Sequence, residues 1–339
     1  MLTLFKNRFR NLFLLFIAIA VSGLEVLADD ELVVYSSRKD HLIKPLFDAY
    51  SEKNGIKISF LTDSEAPLIA RLKAEGESTP ADIFMTVDAG NLWFAAESGL
   101  LQPLGSEAVK SNIPAHLRDP NDLWTGLSIR ARTMVYNPEN ISPEALKSYE
   151  NLASPDFKGK LCLRTSKKVY NQSLVAMMIA RDGVEKAEQV VKGWVDNLAA
   201  APFSNDTKAI QAVMAGLCDV TIVNTYYFGR LEKDGKSGNA KIFWPNQASS
   251  GVHVNISGAG ITKHAGNVEG ARKLIEWLSS EEAQVMYAGL NLEFPANPKV
   301  ESVDQVKAWG SFKQDETNLA EAGRLQAEAV KLMDRVGYR

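Results

Sequence analysis

Between residues 31 and 101 the sequence changes its hydrophobic period repeatedly, and that alternation limits the fold more than any other feature. "ELVVYSS" (31–37) reads as a buried strand entering a turn. "HLIKPLFDAYSEKNG" (41–55) places Leu42, Leu46, Phe47 and Tyr50 at helical spacing, with Gly55 as terminator. "IKISFLT" (56–62) alternates as a strand, and "APLIARLKAEGE" (66–77) is helical. "ADIFMTV" (81–87) is another strand, and "AGNLWFAAESGLL" (89–101) returns to helix. A βαβαβα run of this kind predicts one lobe of a parallel sheet covered by helices.

The alternation resumes further on. "SIRARTMVYNP" (128–138) predicts a strand long enough to be shared between two lobes, stopped by Asn-Pro. A strand at 160–165, helices from about Tyr170 to Arg181 and at 184–198, and a helix at 206–216 follow. "GLCDVTIV" (216–223) predicts a short buried strand, 252–262 a return strand, and 267–289 two more helical patterns. There is no internal repeat or low-complexity segment. Two α/β lobes joined by crossing strands, with a cleft between them, are expected; such clefts bind ligands at strand-to-helix turns.

The N-terminus stands apart. Lys6, Arg8 and Arg10 precede an apolar run over 11–22, and "VLA" (26–28) offers small residues for signal peptidase. This is the pattern of a secretory signal peptide over 1–28; an uncleaved anchor is the alternative, although the run is short for a membrane span. No lipid anchor is indicated. Export would put Cys162 and Cys218 in an oxidising compartment, where a disulfide between them is plausible. Their spacing fits no metal motif. The net charge of −3, with both signs interspersed, gives no reason to expect nucleic acid.

Enzyme signatures are weak. Ser36 and Lys39 make an S-x-x-K with no K-T-G or S-D-N to follow, and "GKS" (235–237) lacks the glycine of a phosphate loop. The four histidines are scattered, His41 at a helix start being the least easily set aside. Three strand-to-helix turns remain: "YSSRKD" (35–40), whose Ser36, Ser37 and Arg38 can present donors; "SKKVYNQSL" (166–174), with Tyr170 in the first turn of a helix; and "NTYYFGRL" (224–231). Neighbouring side chains usually diverge, so one tyrosine of the pair Tyr226 and Tyr227 would ordinarily be core and the other surface. A different reading covers all three turns. Phenols stay protonated near neutral pH, but a trivalent hard cation displaces the proton, and phenolate oxygen suits Fe(III). Tyr136, on the long strand, is expected in the core, and Asp88 is either a cleft residue or a helix N-cap.

On "VVYSSRKD" (33–40), "PADIFMTVDAG" (80–90), "IRARTMVYNP" (129–138), "GKLCLRTSKKVYNQSL" (159–174), "AVMAGLCDVTIVNTYYFGRL" (212–231) and "NPKVE" (297–301), the chain resembles the periplasmic ferric-iron-binding proteins of bacterial ABC importers. The resemblance spans essentially all of the chain beyond residue 28. It implies a two-lobed α/β periplasmic-binding-protein fold of type II with a strand hinge and an interlobe cleft. The first lobe would comprise 29–127 with about 253–303, and the second 128–252 with about 304–339. It further implies Fe(III) held by the phenolates of Tyr170, Tyr226 and Tyr227, and delivery by a monomer to an inner-membrane permease. Relatives often carry His, or His followed by Tyr, where this chain has Lys39 and Asp40. The first lobe then supplies no ligand, or Asp40 serves, or water or an anion such as carbonate completes the shell. Arg130 and Arg132 would hold the anion, Arg38 would face the cleft, and Arg230 would support a phenolate. A binding protein for a small anion or a polyamine on the same scaffold is the alternative, and a secreted enzyme the reading from a different class.

Overall fold

The computed structural model describes residues 31–339; the expected leader over 1–28 lies outside them. Strand β1 (Glu31–Ser36), helix α1 (Asp40–Asn54), β2 (Lys57–Thr62), α2 (Glu65–Glu75), β3 (Ile83–Val87) and α3 (Ala89–Glu97) realise the early alternation. β1 lies between β2 and β3, and all three run parallel. One face of α1 buries Leu42, Leu46, Phe47 and Tyr50, as its periodicity requires. The helix expected to reach residue 101 ends at Glu97 instead. Gly99, at φ 68°, turns the chain back so that β4 (Leu101–Gln102) pairs with Thr262 and Ile261. A short α4 (Glu107–Asn112) follows.

The long strand is the connector that its length suggested. β5 (Thr125–Tyr136) is buried throughout. Its first half, Thr125 to Ala131, pairs antiparallel with β9 (Val254–Thr262). Its second half, Arg132 to Tyr136, pairs with β7 (Val220–Asn224). Beside β7 runs β6 (Leu161–Cys162), which is shorter than the strand expected at 160–165 because the backbone at Arg164 bridges to Phe203 instead. Helices α5 (Val169–Asp182), α6 (Val184–Asp196), α7 (Asp206–Met214) and α8 (Thr225–Lys233) pack around this second sheet, whose other edge is β8 (Lys241–Phe243) on β5. The strand order is β2-β1-β3-β9-β5-β7-β6.

After β9 come α9 (Val268–Ser279), α10 (Glu281–Gly289) and β10 (Phe294–Pro295), the last pairing with β5 at Ile129 and Ser128. α11 (Asp304–Lys307), α12 (Ala320–Arg324) and α13 (Gln326–Arg335) close the chain. Among the described residues two hydrophobic clusters are much the largest. One gathers Leu32, Phe84, Leu92, Trp124, Ile261 and Leu274; the other gathers Met134, Tyr149, Leu174, Trp194, Ile222 and Tyr136, which is core as expected. The C-terminal segment lies across both, with Leu319 and Ala322 in the first core and Leu332, Met333 and Tyr338 in the second.

Cys162 and Cys218 form a buried disulfide with Cα atoms 5.9 Å apart, closing a 56-residue separation. A loop of that length stabilises by about 4 kcal/mol through chain entropy. The double Cys→Ala variant should therefore unfold at distinctly lower urea than the oxidised protein, and reduction of the native protein should produce the same shift.

Candidate metal centre

Four strand-to-helix turns open onto one cavity of about 760 Å³ between the two sheets. The first lobe contributes the turns ahead of α1 and α2, and the second contributes those ahead of α5 and α8. None of these four helices has a side-chain bond at its N-cap, so their free N–H groups and positive dipole ends remain available to an anion.

Tyr226 and Tyr227 both line this cavity. The ordinary divergence of neighbours fails here because α8 starts at Thr225, directly after β7. Successive residues in its first turn point about 100° apart, and at the carboxyl end of β7 both directions meet the cleft. Tyr226 is buried and Tyr227 half-buried, with ring centroids 4.4 Å apart. Tyr170, in the first turn of α5, completes the group on the same wall. Burial pushes the Tyr226 phenol well above its usual range, and the nearby Tyr170 and Tyr227 push it further, against the opposing charge of Arg130. A phenol in the position of Tyr226 keeps its proton until a cation balances the charge.

Cations surround the phenol rings. The Tyr170 ring has Arg130 at 5.5 Å, Arg164 at 5.6 Å and Lys168 at 4.8 Å from its centroid. Arg230 lies 5.1 Å from the Tyr226 ring and 5.9 Å from that of Tyr227. Burial works against the charge of Arg130, but Tyr170, Glu293, Tyr226 and Asp88 more than offset it, so the guanidinium stays protonated. Arg130 donates to the Ile256 carbonyl, and its Nε is buried without a partner.

The other expected residues occupy varied places. Lys39 and Asp40 are exposed on the first-lobe wall, where Asp40 accepts from Thr62 Oγ1 at 2.6 Å. Arg38 lines the cavity but is committed to Glu293, 3.1 Å away and equally buried. Arg132 does not line the cavity. It follows the point where β5 leaves β9 for β7, and there the buried Asp206, at the start of α7, takes its guanidinium at 2.8 Å. Asp88 is a helix cap and not a cleft residue: it accepts from Gly90 N at 2.9 Å, and also from Ser173 and Asn255. His41 lines the mouth of the cavity.

Two residues that matter here went unnoticed in the sequence. Arg164 reaches Tyr227 Oη at 3.5 Å and Asp206 at 3.4 Å; its place at the end of a predicted strand was the signal that could have found it. Glu293 sits in irregular chain between α10 and β10 and had no such signal. Burial alone would raise its pKa, but Arg38 and Arg130, with Ser128 and Asn291 as donors, hold it below the usual range. Among the described residues no group of three His, Cys, Asp or Glu could hold a metal.

Two α/β lobes sharing long strands around one polar cleft define a solute-binding protein. Residues 78–314 match the family model of bacterial extracellular solute-binding proteins. The "Iron uptake protein A1" of Synechocystis sp. is 41% identical over 315 residues, covering 91% of this chain and 88% of that protein. The "Major ferric iron-binding protein" of Neisseria meningitidis serogroup B is 25% identical, covering 91% and 93%. A solved Trichodesmium structure, described as IdiA or FutA in complex with iron and citrate ligands, superposes with a TM-score of 0.88 at 44% identity, covering 91% of this chain and 100% of that one. The chain belongs to the bacterial extracellular solute-binding proteins.

Proposed function

We propose that this protein is the periplasmic carrier of an ABC iron importer, binding Fe(III) through the phenolates of Tyr170, Tyr226 and Tyr227 and passing it to a membrane permease. The observation that carries this reading is the convergence of three phenols on one cavity wall, with guanidinium groups beside them. Three phenolates neutralise a trivalent ion, and hard oxygen donors suit Fe(III) over softer metals. Arg130, beside the Tyr170 ring, and the free N-termini of the first-lobe helices would hold an anion, such as carbonate, that completes the shell. Asp40, on the first-lobe wall, would serve as a ligand if that lobe supplies one, and water or the anion would otherwise fill the position. Iron bound to one wall and its anion to the other favour the closed population, which is the form presented to the permease. The buried disulfide and the expected leader support action in the periplasm. The protein is a carrier, returning its cargo unchanged.

Addition of Fe(III) to the purified protein should develop a visible band from phenolate-to-iron charge transfer, saturating at one ion per chain. A protein that stays colourless with saturating ferric salt contradicts the reading.

A further inference from the structure

The tyrosine helix α8 is tied to the first lobe by three consecutive residues that leave α10. Asn291 accepts a hydrogen bond from Arg230 Nη2 and donates from Nδ2 to Glu293 at 2.6 Å. Glu293 pairs with Arg38 at 3.1 Å, just ahead of α1. Leu292, between them, packs with Tyr226 and Val306. It also lies against Gly229 of α8, where a Cβ would come within 2.9 Å of its side chain and 2.8 Å of Trp309. Leu292 holds φ at 54°, a left-handed conformation that a leucine rarely adopts. Such a conformation persists only where the surrounding contacts hold it, and here they belong to the second lobe, onto which Leu292 packs.

We propose that Asn291 is a positioning residue for iron binding: it anchors Arg230 across the rings of Tyr226 and Tyr227 and, through Glu293, couples that guanidinium to Arg38 in the first lobe. The inference rests on the reading of these tyrosines as iron ligands. A guanidinium held at 5.1 and 5.9 Å from the ring centroids sets the electrostatic environment of both phenolates. Released from Asn291, the long Arg230 side chain would sample solvent, and α8 would lose its polar link to the opposite wall.

The test is a double-mutant cycle on the full chain loaded with Fe(III) from its nitrilotriacetate chelate, reading iron release to excess EDTA and the charge-transfer maximum. Asn291→Ala should release iron about tenfold faster than wild type, the scale of one lost charge-assisted hydrogen bond. Arg230→Ala should do the same, with the same displacement of the band. The double variant should be no faster than either single one, because both substitutions break one link. Single effects that multiply to about a hundredfold, or release from Asn291→Ala at the wild-type rate with an unmoved band, overturn the proposal. Should Asn291→Ala fail to fold, Arg230→Ala, at an exposed side chain, breaks the same link; release at the wild-type rate with an unmoved band there overturns the proposal equally. A wild-type protein that never colours removes the ligand reading, and this inference with it. A coloured wild type matched by Asn291→Ala removes the inference alone.

Discussion

Tyr227→Phe is expected to lower the affinity for Fe(III) by more than about a hundredfold and to shift or weaken the visible band. Removing a residue that only orients a metal ligand typically costs 10- to 100-fold, so deleting a charged donor costs more. The charge balance points the same way: two remaining phenolates would leave the trivalent ion undercompensated beside Arg130, Arg164, Lys168 and Arg230. Phenylalanine keeps the ring that packs against Tyr226, so the fold should survive. Tyr170→Phe and Tyr226→Phe should behave alike. Acid should mimic these variants. Binding displaces the phenol protons, including the one on Tyr226 whose pKa is raised, so protons compete with iron and affinity falls as pH falls. Competitive titration against a chelator of known affinity, at several pH values, measures both effects. A Tyr227→Phe protein with wild-type affinity and colour would remove that residue from the ligand set.

Glu293→Gln is expected to destabilise the protein by about 3–5 kcal/mol, the usual cost of stripping one partner from a buried ion pair. The carboxylate faces Arg38 at 3.1 Å, and both side chains are 1% exposed. Two further nitrogens of Arg38, Nε and Nη2, are already buried without partners. Without the counter-charge, Arg38 and Arg130 would lie uncompensated beneath the cleft. The pH dependence has a definite sign. Glu293 has a depressed pKa in the folded state, so its contribution is complete above the ordinary glutamate range and is lost as pH falls through the folded-state value. Urea midpoints from neutral to acidic pH should therefore drop for wild type, whereas Glu293→Gln should start lower and lose that part of the acid slope. Equal midpoints for the two proteins at neutral pH would show that the pair contributes nothing net.

The sequence made the second-lobe wall more legible than the first. Tyr170, Tyr226 and Tyr227 could be found because each follows a recognisable strand and opens a helix, and strand-to-helix turns face the cleft in this class of fold. The shared strand was visible from its length, and β5 does pair with both β9 and β7. Arg132 is expected at the anion because it lies, with Arg130, on the strand that resembles the family's Arg-Ala-Arg segment. That reasoning could not foresee Asp206, distant in sequence, which draws Arg132 beneath the second lobe. Glu293 and Asn291 were invisible for a related reason: they sit in irregular chain, and their roles come from contacts with Arg38 and Arg230. The end of α3 was misjudged because Leu100 and Leu101 extend a helical pattern that Gly99 interrupts.

The central claim is that a single ferric ion sits among three phenolate oxygens, and an anomalous difference map from iron-loaded crystals, recorded at the iron edge, tests it most directly. The account predicts one peak at bonding distance from Oη of Tyr170, Tyr226 and Tyr227 together. A peak on the first-lobe carboxylates instead, or at none of these side chains, would contradict it.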